Sequence, residues 1–280
     1  MTRARLAGLT ALAMLAFAGN SVLCRLALDR TAIDPASFMT IRLASAAALL
    51  WAIVRIRGSE GGRADWHSAL VLFAYAVTFT YAYVSLPAAT GALLLFGGAQ
   101  TSMIGYGIAR GERLNGRQVV GLGLALCGLV GLLLPGLTAP PVTGAVLMIA
   151  AGVAWGAYSL LGRGAGGATA TTAGNFARAA PLAALVSAAT LTHASIDAEG
   201  LLYAATSGAI TTGLGYIVWY AALPSLRATQ ASIVQLSVPV LTAVIGVVGL
   251  NEPFTLRLAL TSLAILGGIA LVIRSVRSRA

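Results

Sequence analysis

LPSLRATQASIVQLSVPVLTAVIGVVGLNEPF, Leu223 to Phe254, has an earlier counterpart in LPAATGALLLFGGAQTSMIGYGIARGERL, Leu86 to Leu114. Pro87 and Pro224 stand 137 residues apart (224 − 87). Each leads into an Ala-Thr pair (Ala89-Thr90, Ala228-Thr229), an apolar helix, and a polar turn carrying Glu112 or Glu252 at nearly the same offset. A second apolar helix follows each turn. A repeat this long, in segments too apolar for a soluble protein, predicts two similar membrane halves, residues 1–137 and 138–280.

Working outward, the chain is 58% hydrophobic and 9% charged, with mean hydropathy +0.88. A helical span needs about 20 apolar residues, so ten spans and short loops use up the chain and leave no separate soluble domain. All 18 basic residues are Arg and the net charge is +10. That balance reads as loops facing a cytoplasm under the positive-inside bias, not as a nucleic-acid surface, because no domain presents the charges together. Cys24 and Cys127 sit in apolar runs and suggest neither a disulfide nor a metal site. No cofactor or metal is expected.

Spans are predicted at about 6–28, 35–55, 66–86, 88–110, 116–134, 144–162, 172–192, 199–223, 228–249 and 255–274. A cleaved leader ending at Cys24 is the alternative for the first. The equivalent run at 144–163 in the second half argues for keeping it as a helix. With the N-terminus inside, Arg3, Arg5, Arg55, Arg57, Arg63, Arg110, Arg113, Arg117, Arg163, Arg227, Arg274, Arg277 and Arg279 fall on the inner side. Arg30 and Arg257, with Arg25 near them, fall on the outer side, so both termini are expected in the cytoplasm. Five helices per half is an odd number, which inverts the second half and points to alternating access at a site between the halves. Small residues at Gly121, Gly123, Gly128, Gly131, Gly267 and Gly268 fit either sliding helices or ordinary close packing in lipid.

The ten helices, the Ala154-Trp155-Gly156 triplet, the Pro in SVPVLTA and the Asn-Glu-Pro or Gly-Glu-Arg turns together resemble the ten-helix EamA-type branch of the drug/metabolite transporter superfamily. One departure is visible: Gln100 occupies the first-half position aligned with Pro239. The resemblance implies export of small metabolites through a central cavity, with aromatic and other neutral amino-acid exporters the best match. It also implies cavity roles for Trp155 and Tyr158, next to polar Ser159. The Ala, Gly and Arg richness points, by composition alone, to a bacterial inner membrane.

Tyr75, Phe79 and Tyr83 share one face of the third helix. The 137 offset carries Phe79 to Tyr216 and Tyr83 to Tyr220, beside Trp219. These rings could stack on an apolar or aromatic cargo, or form an interfacial belt. Asn20, Gln100, Asn175 and Gln235 lie in apolar runs, where an amide binds either a cargo or a neighbouring helix. Arg42 and Arg178 lie about two turns inside their helices. Snorkelling to the nearer surface is the leading expectation for both, and pairing with a cargo carboxylate the other. Pro239 is expected to kink the ninth helix, with Pro87 and Pro224 as further hinges.

Asp29, Asp34, Glu60, Asp65, Glu112, Asp197, Glu199, Glu252, His67 and His193 all fall in loops or at helix ends. No proton-carrying carboxylate is expected at mid-membrane, so facilitated movement or exchange is predicted rather than proton antiport. No catalytic constellation is seen within the spans, so an enzyme is not expected. A lipid-carrier flippase, or a nucleotide-sugar or drug transporter of the same superfamily, stays an alternative. The expected partners are a small-molecule substrate and the lipid bilayer; the oligomeric state is left open, a monomer being one option.

Overall fold

A computed structural model describes residues 2–58, 62–111, 114–134, 139–162, 167–226 and 234–276. Glu60, Glu112, Arg113, Arg163, Arg227, the Ala228-Thr229 pair, Arg277 and Arg279 lie outside the described residues. Among the described residues ten helices follow one another: α1 (Arg3–Arg30), α2 (Pro35–Arg57), α3 (Trp66–Tyr83), α4 (Ala88–Ala109), α5 (Gly116–Leu133), α6 (Val142–Leu161), α7 (Ala168–Ala189), α8 (Ala198–Ala222), α9 (Ser237–Leu250) and α10 (Leu256–Val276). Six of them (α1, α2, α4, α5, α6 and α8) are long and apolar enough to cross a membrane. The other four, α3, α7, α9 and α10, fall short of that measure among the described residues. Three tyrosines and two threonines dilute α3, and Asn175 and Arg178 dilute α7, whereas α9 and α10 adjoin residues outside the described ones.

Polar residues set the helix starts. Asp34 caps α2 by accepting from the Ser37 amide at 3.0 Å, with Pro35 next, where its missing N–H costs nothing. The other Asp34 oxygen accepts from the Ser195 amide at 3.0 Å, and the Asp34 amide donates to the Ser195 carbonyl at 2.9 Å. That exchange ties the start of α2 to the loop before α8. Asp65 caps α3 through the Ser68 amide at 2.8 Å and hydroxyl at 2.7 Å. Partial burial pushes the Asp34 carboxyl up, but donors from Ser37, Ser195 and Ala36 outweigh it and hold it below its ordinary value. The Ser68 amide and hydroxyl do the same for Asp65. A depressed native pKa contributes stability above the unfolded-state pKa that is lost as pH falls through the native one. The melting temperature of the solubilised protein is therefore expected to fall from about pH 4 downward, and the Asp34→Asn/Asp65→Asn double variant to flatten that slope. A wild-type profile already flat across this range would refute it.

α1 lies against α8 and α9, and α6 lies against α3 and α4. α2 packs on α7 and α8, α7 also on α3, α4 on α9, and α5 on α10. These main pairings map onto themselves when every helix is advanced by five places, counting from ten back to one. Gly208 of α8 sets one close approach: an added Cβ would overlap the Arg42 carbonyl and the Ser45 hydroxyl of α2. On α5, Gly121 and Gly128 meet α10, whereas Gly123 and, on α10, Gly267 face open space.

At the end of the bundle that carries Glu252, three arginines terminate helices. Arg25 donates to the Tyr83 and Val84 carbonyls at 3.2 and 3.4 Å, Arg30 to Leu250 at 2.7 Å, and Arg257 to Leu134 at 2.6 Å. Each satisfies carbonyls at a helix C-terminus, where the helix dipole favours a cation. Glu252 works at the opposite pole of a helix. It accepts from the Ala88 and Ala89 amides at 2.7 and 3.4 Å, capping α4 behind Pro87, and its carboxylate lies 3.8 Å from Arg25 Nε.

The helical pattern of residues 234–235 lapses at Leu236 and resumes at Ser237, so the break falls within one turn before Pro239. Pro224 lies in the single 3-10 turn Leu223–Ser225 that follows α8. Within α8 the ladder widens to a π-helix over Ser207–Leu214, a feature frequent at functional sites.

Candidate functional site

Midway along the bundle a cavity of about 30 Å³ is walled by side chains from seven helices, α1 to α4 and α6 to α8. Phe17, Asn20 and Ser21 come from α1, Arg42 from α2, and Tyr75 and Phe79 from α3. Phe96, Trp155, Phe176, Thr211, Thr212 and Tyr216 complete the polar and aromatic wall. Trp155 is the hub of the rings. Its centroid lies 5.3 Å from Tyr75, 5.7 Å from Tyr216, 6.2 Å from Tyr158 and 6.3 Å from Phe17. The Phe17 and Tyr216 contacts are edge-on, a geometry that matches ring edge to ring face.

Arg42 is 2% exposed and does not reach either surface. Snorkelling is therefore corrected. The α2 residue points inward, against α1 and α3, rather than along its helix towards water. Its Nη1 donates to Asn20 Oδ1 at 3.4 Å, and the same oxygen accepts from the Ser207 and Thr212 hydroxyls of α8 at 2.9 and 3.4 Å. The guanidinium carbon lies 4.9 Å from the Phe79 ring centre and 5.9 Å from that of Tyr75. Cation–π attraction of about 2 kcal/mol in a desolvated site offsets only part of the several kcal/mol of burying the charge. Nε and Nη2 of Arg42 make no hydrogen bond.

The remaining sequence candidates divide. Tyr158, Asn175 and Tyr220 wall a second cavity of about 40 Å³, nearer the Asp65 end. There Asn175 donates to the Tyr158 hydroxyl at 3.3 Å and accepts the Asp65 amide at 3.3 Å, joining α7 to the start of α3. Tyr83 is fully buried behind Phe79, with its hydroxyl donating to the Ala88 carbonyl at 3.4 Å, and Trp219 packs edge-on against Phe17. Neither reaches the central cavity, and neither Gln100 nor Gln235 walls it. Arg178 is half-buried, donates to the Gly174 carbonyl at 3.0 Å and lies 5.9 Å from the Trp66 ring, so it too is away from the cavity. Burial of Phe79, Tyr83 and Tyr216 rules out an interfacial belt for those three. Phe17, Ser21, Phe96, Phe176, Thr211 and Thr212 were not anticipated. Phe17 stands 138 residues before Trp155 (155 − 17), one residue from the position that the 137 offset gives.

Apolar helices closed around a polar and aromatic interior define a multi-pass membrane protein with a site inside the bundle. The profile of the EamA-like transporter family matches residues 142–274. An uncharacterized protein of Pseudomonas aeruginosa is 54% identical over 267 residues, covering 95% of this chain and 93% of its own. An uncharacterized transporter of Archaeoglobus fulgidus is 27% identical over 281 aligned positions, covering 94% and 95%. A solved crystal structure, 22% identical, shares the fold over 100% of both chains with a TM-score of 0.70. The match places the second half of the chain in the EamA-like transporter family.

Proposed function

We propose that this transporter exports small metabolites, aromatic and other neutral amino acids foremost, by alternating access through the central cavity. The observation that carries the reading is the ring-walled, Arg42- and Asn20-bearing chamber halfway along seven helices. Its volume of about 30 Å³ holds one or two waters, far below the few hundred Å³ of a metabolite site, so cargo enters only when helices part. The five-place symmetry of the helix pairings supports two inverted units, 1–137 and 138–280. Hydrogen bonds that close the two ends are available to release in turn: Asp34 with Ser195 and Glu252 with Ala88 at one, Asn175 with Asp65 at the other. Pro87, Pro224 and Pro239 stand at helix starts and ends, where hinge rotation is cheapest. Arginine placement supports cytoplasmic termini, and we assign the protein to a bacterial inner membrane.

None of the residues walling the chamber is acidic or a histidine, which supports movement down a gradient or exchange. A lipid-carrier flippase needs a lateral cleft with basic headgroup contacts. The lateral groove of about 620 Å³ between α4, α9 and α10 is walled by residues such as Val240, Val244 and Phe254, with no charged side chain. Counterflow into liposomes loaded with amino acids, nucleosides or cationic dyes tests the reading. Neutral amino acids are expected to exchange without a pH gradient. Preference for the dyes, or dependence on the gradient, would overturn it.

A further inference from the structure

We propose that Arg42 is the specificity-determining anchor for a carboxylate on the cargo, a step that rests on the transporter reading above. Arg42 carries a buried positive charge at the chamber wall, and no residue of that wall supplies an opposing carboxylate. Its surroundings leave one part of the guanidinium unused. The faces lie near the Phe79 and Tyr75 rings, and Nη1 is held by Asn20. What remains is Nε and Nη2, the two N–H groups along one edge, both buried and without a partner. That edge is a fork whose spacing matches the two oxygens of a single carboxylate.

The complementary requirement, an acceptor for an ammonium group, is poorly met. Asn20 Oδ1 already takes donors from Arg42, Ser207 and Thr212, and the Thr211 hydroxyl, which donates to the Ser207 carbonyl at 2.8 Å, keeps only a neutral oxygen with which to accept. The chamber thus selects a carboxylate joined to an apolar or aromatic body that lies among Trp155, Tyr216 and Phe17. An amino group on the cargo is tolerated, not demanded.

The test measures binding to the full-length protein in nanodiscs. The four probes share one ring: phenylalanine, 3-phenylpropionate, phenylalaninamide and phenethylamine. The two carboxylates are expected to bind, and the amide and amine about tenfold or more weaker. Arg42→Gln should weaken carboxylate binding by roughly 10- to 100-fold, and Arg42→Lys, which keeps the charge without the fork, should only partly rescue it. Arg42→Gln alone could fail by misfolding, so Asn20→Asp supplies the second arm. An internal carboxylate beside the guanidinium should hold or raise the melting temperature while weakening cargo carboxylates about tenfold. Equal binding of all four probes, no binding of either carboxylate, or unchanged affinity in both Arg42→Gln and Asn20→Asp would overturn the proposal. Counterflow of the amide or amine without the carboxylates would sink the Arg42 assignment and leave alternating access standing.

Discussion

Gly208→Ala is expected to cost about 3 kcal/mol or more and to lower the melting temperature by roughly 6–12 °C, with transport lost alongside. The added methyl would overlap the Arg42 carbonyl and the Ser45 hydroxyl, and one of those two is main chain that cannot swing aside. α2 and α8 would have to separate. The first groups to feel that shift are the Asn20 bonds to Ser207 and Thr212 and the Arg42 guanidinium they steady. Gly123→Ala, where the new methyl meets nothing within 4 Å, is the matched control and should be neutral or slightly stabilising. Similar melting temperatures for the two variants would show that the α2–α8 approach does not constrain the fold.

Trp155→Ala is expected to lower counterflow about tenfold or more, whereas Trp155→Phe keeps most of it. The indole contacts four other rings, from α1, α3, α6 and α8, so its loss opens the middle of the chamber. Each aromatic pair contributes about 0.5–1.5 kcal/mol beyond area burial, so the alanine variant should also melt lower. Rates are therefore compared below the transition, on protein shown to be folded. Wild-type exchange by the alanine variant would remove the chamber from the cargo path.

Much of this architecture is legible in the chain because it rests on composition and periodicity. Apolar runs set the helices, Asp34-Pro35 marks a helix start that the structure places within a residue, and Phe79 and Tyr216 share an interior at the repeat offset. Sequence reasoning does less well where direction matters. Arg42 and Arg178 occupy similar positions along their helices, yet one points into the bundle and the other lies near Trp66. Nothing in the residue type separates them, because the choice depends on which neighbouring helix lies behind each. Helix rotation also removes Gln100 and Gln235 from the chamber wall. The widened turn of α8 has no local sequence signal, since Ser207–Leu214 is an ordinary mixture of small and apolar residues. Glu252 was read as a loop marker, while its capping of α4 depends on two segments 164 positions apart meeting at one end.

The small size of the central chamber bears on bioenergetics as well as on cargo. One or two waters in an enclosure of about 30 Å³ cannot form a hydrogen-bonded file linking the two aqueous phases. Were a carrier to rest in this shape, the chamber would offer protons no continuous water file among the described residues, and the membrane would keep its electrochemical charge between transport cycles.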